Sequence, residues 1–352
     1  MPWDEGLVNS LVYDKPDPAE GRVVSYAHAI NEALALALEH DPGVFVLGQG
    51  VDDPLAMFGT TRGLHTRFGA DRVFDTPLSE EAMMGVSTGA AMNGMRPVFM
   101  HNRPDFILLA FNQLVTHAAK FHFMDNGRTN VPVVIWAAIG RGWGSGAQHS
   151  QAIHGMLLGV PGLKIVMPST PYDAKGLLLS AILDNNPVCV FEHRWLMKKD
   201  GVVPEGFYRV PIGKGIYRRR GNDVTIVGAS HAIELGFQAA AQLALEGIEA
   251  EVIDLRTVKP LDEAIVLESL HKTGRLVVVD TAWMKGGLCA EIGCLAAERG
   301  YSDLKAPIAR VGLPDVPTPA GYTLEQFYYP DAARIAAAAR GLVRRTGPVR
   351  HT

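Results

Sequence analysis

The feature that most constrains this chain is its rhythm of short apolar runs and longer helical stretches. Apolar runs at 44–47, 72–74, 97–100, 131–138, 163–167 and 188–191 are separated by segments with helical apolar spacing at 25–40, 79–94, 106–124, 150–158 and 171–184. Short aliphatic runs without polar alternation read as strands buried on both faces. Strands alternating with amphipathic helices imply a parallel sheet covered by helices on either side. The rhythm breaks at 200–222, where Gly201, Pro204, Gly206, Pro211, Gly213, Gly215 and Gly221 surround the basic run Arg218-Arg219-Arg220. The Gly/Pro cluster reads as a linker and the arginine run as a solvated turn. A second block then repeats the rhythm, with apolar runs at 224–227, 250–253, 276–279 and 308–311 and helical stretches at 231–245, 261–270, 288–299 and 331–343.

The expected fold class is therefore α/β in two domains, each a mostly parallel sheet flanked by helices. The expected boundaries are an N-terminal arm at 1–20, a first domain at 21–200, a linker at 201–222, a second domain at 223–345 and a tail at 346–352. A chain of 352 residues is long enough for two cores.

Composition narrows the function. Hydrophobic residues make up 47% and charged residues 20%, a globular balance. Lys+Arg 33 against Asp+Glu 37 leaves a formal charge of −4, which argues against broad nucleic-acid binding. No apolar run reaches the roughly 18 residues of a spanning helix, so no membrane insertion is expected. The opening MPWDEGLVNS has no basic start followed by an apolar core, so no secretory signal is expected. Cys189, Cys289 and Cys294 form neither a disulfide framework nor a zinc pattern, and no metal site is assigned. A cytoplasmic protein is the expectation.

Four segments hold chemistry-bearing residues in places where a site can form. Asp75-Thr76-Pro77-Leu78-Ser79-Glu80-Glu81 leaves a strand and enters a helix whose Ala82, Gly85 and Gly89 leave one face nearly bare. Each helical glycine costs roughly 1 kcal/mol against alanine, so close packing must compensate. Ser79 suits an N-cap, and Glu80 alone is explained by the helix dipole. The glycine-rich run 139–151 carries Arg141 and His149 and joins a strand to a helix; without a closing Gly-Lys-Ser/Thr it is no P-loop. His101-Asn102-Arg103-Pro104-Asp105-Phe106 ends another strand. In the second block, Asp254-Leu255-Arg256-Thr257-Val258-Lys259-Pro260-Leu261-Asp262 reads as an anion site or simply a turn.

Taken together and in order, these segments resemble a known family across residues 21 to 343. Asp75-Thr76-Pro77-Leu78-Ser79-Glu80, Gly89-Ala90-Ala91-Met92-Asn93-Gly94-Met95-Arg96-Pro97, Gln148-His149-Ser150-Gln151 and Asp254-Leu255-Arg256-Thr257-Val258-Lys259-Pro260-Leu261-Asp262 carry the likeness. So do Asp173-Ala174-Lys175-Gly176-Leu177 and Asp315-Val316-Pro317-Thr318-Pro319. The family is the β subunit of the thiamine-diphosphate-dependent first component of pyruvate, branched-chain and acetoin dehydrogenases, within the transketolase-like superfamily.

The resemblance implies a pyrimidine-binding domain followed by a transketolase C-terminal domain. It implies that Glu80 hydrogen-bonds the cofactor's aminopyrimidine ring nitrogen, as a buried carboxyl sharing a proton can. It implies that Phe106 stacks on that ring and that His149 handles a proton on the substrate oxygen or the acyl acceptor. Gln49, in the Gly48-Gln49-Gly50 that stands where these β subunits usually carry acidic Gly-Glu-Glu, is taken as a further cofactor contact. Arg103 and Arg141 are expected to face a substrate carboxylate or phosphate.

The superfamily's diphosphate and magnesium signature, Gly-Asp-Gly with a downstream Asn, does not occur in the sequence. The implied cofactor is thus thiamine diphosphate with only its pyrimidine half held here, and Mg2+ held mainly by a partner. That partner is an α-type subunit, in a heterotetramer of two α-type and two β-type chains, with a lipoyl-domain acyltransferase downstream. The expected activity is decarboxylation of a 2-oxo acid and transfer of the acyl unit to an acceptor such as lipoamide. Departures at 101–104 and 193–195 motivate a second reading, the C-terminal half of a split transketolase-like synthase moving a ketol or acyl unit onto a carbonyl acceptor. A third reading, a non-catalytic scaffold, is opposed by the retention of Glu80, Phe106 and His149.

Overall fold

Residues 17–142 and 144–344 are described by a computed structural model. Of the arm expected at 1–20, only 17–20 fall among the described residues, and the tail expected at 346–352 lies wholly outside them. The chain divides into two units. The first holds the residues up to Gly140 together with Gly159–Ile212, and the second holds Arg141–Leu158 together with the residues from Gly213 onward.

The first unit contains β1 (Val23–Ser25), β2 (Val44–Gly48), β3 (Val73–Phe74), β4 (Arg96–His101), β5 (Val134–Ile139), β6 (Lys164–Val166), β7 (Val188–His193) and β8 (Asp200–Val202). Its main sheet runs β6-β7-β5-β4-β2-β3, with every one of these pairs parallel. Strands β2, β4, β5 and β7 are buried along their whole length, as central strands of a parallel sheet are, including Arg96 and His101 at the ends of β4 and Glu192 and His193 at the close of β7. Two helices cover one face. Tyr26–His40 starts where the Ser25 side chain accepts a hydrogen bond from the His28 amide at 3.2 Å. Pro171–Leu183 starts on Thr170, whose hydroxyl accepts from the Asp173 amide, with Pro171 in the first turn. Ile30, Leu34 and Leu38 from the first helix meet Leu178 and Ile182 from the second over Val46, Val98, Trp136 and Val190. Each such buried aliphatic side chain contributes about 1.5–3 kcal/mol.

On the opposite side the helix Glu80–Met92 packs against residues 104–118. The sequence predicts one helix over 106–124. The structure instead winds a 3-10 segment (Pro104–Ala110), a π segment (Asn112–Ala118) and a short α-helix (Ala119–Met124). The stretch packs along the helix Glu80–Met92, and tertiary packing overrides local helix propensity.

The segment expected as a linker carries strands instead. β8 pairs antiparallel with β1, Val23 opposite Val202. Further along, β9 (Ile216–Arg219) forms the edge of the second sheet, antiparallel to β11 (Ala250–Asp254). The second unit continues with β10 (Val224–Gly228), β11 (Ala250–Asp254), β12 (Thr257–Lys259), β13 (Leu276–Trp283) and β14 (Ala309–Leu313), and its sheet runs β14-β13-β10-β11-β9. Helices His231–Ala244 and Ala332–Val343 seal one face, with Leu243, Ile335 and Ala339 over Ile226, Val252 and Val277. The arginine run is not the solvated turn expected of it. Arg218 Nη2 and Nε reach Asp254 Oδ2 at 3.0 and 3.1 Å, and Arg220 lies over the Tyr217 ring at 3.5 Å. Asp254 is fully buried and needs a cation.

Arg96 ties the first unit together. Its Nη1 donates to the carbonyls of Ile182 and Asp184 at 2.9 and 3.0 Å, and Nη2 donates to Asn185 Oδ1 at 3.1 Å. Its Nε faces the Asp41 carboxylate at 3.5 Å. The end of Pro171–Leu183 is thus fastened to the start of β4. Arg96→Met should lower the stability of the first unit by about 3–5 kcal/mol, because it strands a buried carboxylate and helix-terminal carbonyls. Denaturant unfolding reads the change; a loss below about 1 kcal/mol, the worth of a surface pair, would contradict the assignment.

Candidate active site

Sheet order alone marks a place for a ligand. From β2 the chain goes to β3 on one side, then crosses to β4 on the other. Loops leaving the carboxyl ends of β2 and β4 therefore diverge, and ligands of parallel α/β sheets bind in such crevices. Here the crevice is lined by Gln49, Thr76, Glu80, His101, Asn102 and Phe106, with Pro77, Phe99 and Met100 completing its wall.

Local geometry sets each side chain. Gly48 ends β2 with φ +141, and a Cβ there would stand 2.3 Å from the Met100 carbonyl oxygen, so only glycine lets β2 and β4 run this close. The next residue, Gln49, accepts a hydrogen bond from Asn102 Nδ2 on its carbonyl at 3.1 Å. Asp75 Oδ1 accepts from the amides of Gly50 and Thr76, both at 2.8 Å, which locks the loop after β2 to the loop after β3. Glu80 is the first residue of its helix and is half-buried, with its carboxylate where the helix dipole favours negative charge. Ser79 occupies the N-cap position but makes no capping bond, contrary to the sequence expectation. Its ψ of 64° departs from the extended conformation that capping serines adopt.

Phe106 sits half-buried in the 3-10 segment. Arg103 immediately precedes that segment, and burial lowers the pKa of its guanidinium while the Asp105 carboxylate opposes the shift. His101 is fully buried, and burial drives its pKa down to about 3, so the imidazole is neutral near pH 7. Its ring lies 4.1 Å from that of Phe99, centroid to centroid. His101 Nε2 and Asn102 Oδ1 are buried and have no hydrogen-bond partner among the described residues. Sequence reasoning noted the segment but nominated neither residue. The available signal was their place at the end of a strand beside the switch in strand order.

The structure groups Gln49, Glu80 and Phe106 in one crevice of the first unit, with Arg103 on the adjoining turn. His149 and Arg141 belong to the second unit. His149 is half-buried, and its amide donates to the Gly146 carbonyl at 3.4 Å. Arg141 Nη1 donates to Glu325 Oε2 at 2.6 Å. The helix expected over 150–158 is confined to His154–Leu158. The buried His154 side chain meets Asp280 there, and the residues before it follow an irregular path.

An aromatic face, a carboxylate, and two buried polar atoms without partners complement a flat heteroaromatic ring that carries both donors and acceptors. The transketolase pyrimidine binding domain matches residues 22–199, and the transketolase C-terminal domain matches 213–335. The acetoin:2,6-dichlorophenolindophenol oxidoreductase subunit beta of Cupriavidus necator is 45% identical, over 91% of this chain and 97% of that protein. The 2-oxoisovalerate dehydrogenase subunit beta of Bacillus subtilis is 42% identical, over 91% and 98%. The mitochondrial pyruvate dehydrogenase E1 component subunit beta-1 of Arabidopsis thaliana is 37% identical, over 94% and 92%.

The chain belongs to this family of dehydrogenase β subunits.

As a β subunit of a thiamine-diphosphate-dependent family it has an α-type partner, and the dehydrogenase reading stands over the split-synthase alternative. Its fold is that of transketolases. A split gene transketolase, solved as an inactive beta4 tetramer, superposes with TM-score 0.73 at 24% identity over 92% of this chain and 99% of that one. Transketolase from Leishmania mexicana gives 0.68 at 17% identity, over 94% of this chain and 48% of that one. Among the described residues no helix is long and apolar enough to cross a membrane.

The buried imidazole of this β subunit makes its stability depend on pH. The unfolded chain protonates His101 below its ordinary 6.5, whereas the folded chain resists protonation down to about 3. The folded state therefore binds fewer protons across that window, and stability falls as pH drops through it. His101→Phe should flatten the decline in stability between about pH 6.5 and pH 4 relative to wild type. Equal slopes in the two proteins would show that His101 is solvated.

Proposed function

We propose that this chain holds the pyrimidine half of thiamine diphosphate in the β2–β4 crevice and contributes His149 to an enzyme that decarboxylates a 2-oxo acid. The acyl unit passes to an acceptor such as a lipoyl group on an acyltransferase. The observation that carries this reading is the convergence of Glu80, Phe106 and Gln49 with the unpartnered Nε2 of His101 and Oδ1 of Asn102.

When bound, thiamine diphosphate supplies the electron sink for the pair left by decarboxylation. This chain's residues bind and orient it. Glu80 presents a half-buried carboxylate that holds a proton against a ring nitrogen. Phe106 offers a flat apolar face, and the Asn102–Gln49 bond keeps the crevice wall fixed. His101 and Asn102 offer the remaining polar contacts to the ring edge. His149 takes or gives a proton at the substrate oxygen or the acyl acceptor. Arg103 supplies positive charge for a substrate carboxylate.

Magnesium and the diphosphate belong mainly to the α-type subunit in a heterotetramer of two α-type and two β-type chains. That assignment rests on the sequence carrying no Gly-Asp-Gly. We place the assembly in the cytoplasm, where cysteines that form no disulfide stay reduced.

Calorimetry with thiamine diphosphate and magnesium, on the chain alone and co-expressed with its α-type subunit, should show tight binding only for the mixture. Tight binding by the lone chain would overturn the half-site. Glu80→Gln in the mixture should cut turnover of the 2-oxo acid by about 100-fold or more. Unchanged turnover would remove Glu80 from the chemistry and return weight to a scaffold role.

A further inference from the structure

His149 rides on a segment, Arg141–Leu158, that belongs to the second unit. Ahead of the helix His154–Leu158, the described residues of the segment form no helix or strand. Gly142, Gly144 and Gly146 alternate through its start. Around His149 the Ser145 amide donates to the Gly142 carbonyl at 3.1 Å and the His149 amide to the Gly146 carbonyl at 3.4 Å. Fixing glycine-rich backbone costs more conformational entropy than fixing other sequence, so the order must be imposed from outside.

Two anchors impose it, one on each side of His149. Ahead of it, Arg141 Nη1 donates to Glu325 Oε2 at 2.6 Å; the Glu325 side chain is only 4% exposed. The Arg141 guanidinium also lies between the rings of Tyr322 and Tyr329, at 5.9 and 5.8 Å. Beyond it, His154 Nε2 donates to the Asp280 carboxylate, 3.0 Å from Oδ2 and 3.2 Å from Oδ1, with both residues buried. The backbone is pressed down at the same two places. A Cβ on Gly146 would stand 3.2 Å from that of Ala320, and one on Gly155 would stand 3.0 Å from the Gly287 Cα.

We propose that Glu325 and Asp280 are positioning residues for His149, acting through Arg141 and His154. Arg141, expected from the sequence to face substrate, is on this account the handle by which Glu325 holds the segment. Charge-assisted hydrogen bonds to nearly buried carboxylates are strong and directional, as placing a proton-transfer group requires. The inference rests on the reading of His149 given above.

The test uses the full chain, alone and co-expressed with the α-type subunit. Its variants are Glu325→Gln, Asp280→Asn, His149→Ala and the exchange Arg141→Glu with Glu325→Arg. Hydrogen–deuterium exchange of the peptide spanning 142–152 should quicken about tenfold or more in Glu325→Gln and Asp280→Asn. In the mixture kcat should fall by as much as about 100-fold with KM for the 2-oxo acid little changed. The exchanged pair should recover both protection and kcat in part, which general loss of stability would not predict.

Unaltered exchange in Glu325→Gln, or a fall in kcat without faster exchange, would overturn the proposal. So would faster exchange with kcat intact while His149→Ala abolishes turnover. If exchange quickens and His149→Ala leaves turnover intact, the anchoring stands and the catalytic reading of His149 falls. Should Asp280→Asn fail to fold, Glu325→Gln and the exchanged pair carry the decision.

Discussion

The parallel pairing of β2 with β4 is the constraint on which the rest of the first unit depends. The two strands run in register from Val44 opposite Arg96 to Gly48 opposite Met100. At one end of the ladder Arg96 gathers the close of a helix and a buried carboxylate. At the other, the bare Cα of Gly48 lets the Met100 carbonyl approach. Any side chain at 48 would push the carboxyl ends apart, and the bond from Asn102 to the Gln49 carbonyl would open with them. The crevice is thus a product of strand order and one missing methyl group, and Glu80 and Phe106 are delivered to it by elements that pack on each other.

Much of this was legible in the sequence because strand burial and helix amphipathicity leave periodic signals. The two α/β blocks follow from them, whereas Gln49, Glu80 and Phe106, drawn from three separated stretches and brought together in one crevice, are singled out by the family resemblance and not by periodicity. What stayed hidden depends on contacts between residues far apart in sequence. Nothing local distinguishes the glycine-rich stretch after β5 from an ordinary loop of the first unit, because Arg141 and His154 find their partners at Glu325 and Asp280. Arg218 reads as solvated until the fully buried Asp254 is placed beside it. The winding of residues 104–118 accompanies its packing on the helix Glu80–Met92, a tertiary contact that propensity does not report. Desolvation of His101 likewise has no signature in composition.

Two buried polar groups of the first unit lie where strands end. His101 closes β4 and Glu192 lies near the close of β7, both without exposure to speak of. Burial holds the first neutral and pushes the carboxyl of the second up to about 8, with the Trp136 indole pulling it the other way. Neutral forms of both are the less costly ones to enclose. The apolar cluster lies over the body of the strands, and of the two polar groups His101 lines the β2–β4 crevice.

The passage of Arg141–Leu158 into the second unit bears on how such a gene can be cut and recombined. The linear order suggests a clean boundary near residue 212, yet a fragment ending there would carry His149 and lack Asp280, Glu325 and Ala320. A chimaera joining the first part of one β subunit to the last part of another would inherit anchors on one side and their partners on the other. Recombination is therefore tolerated only where those pairs are compatible. The inherited module is the interleaved whole, and the two halves are expected to change together.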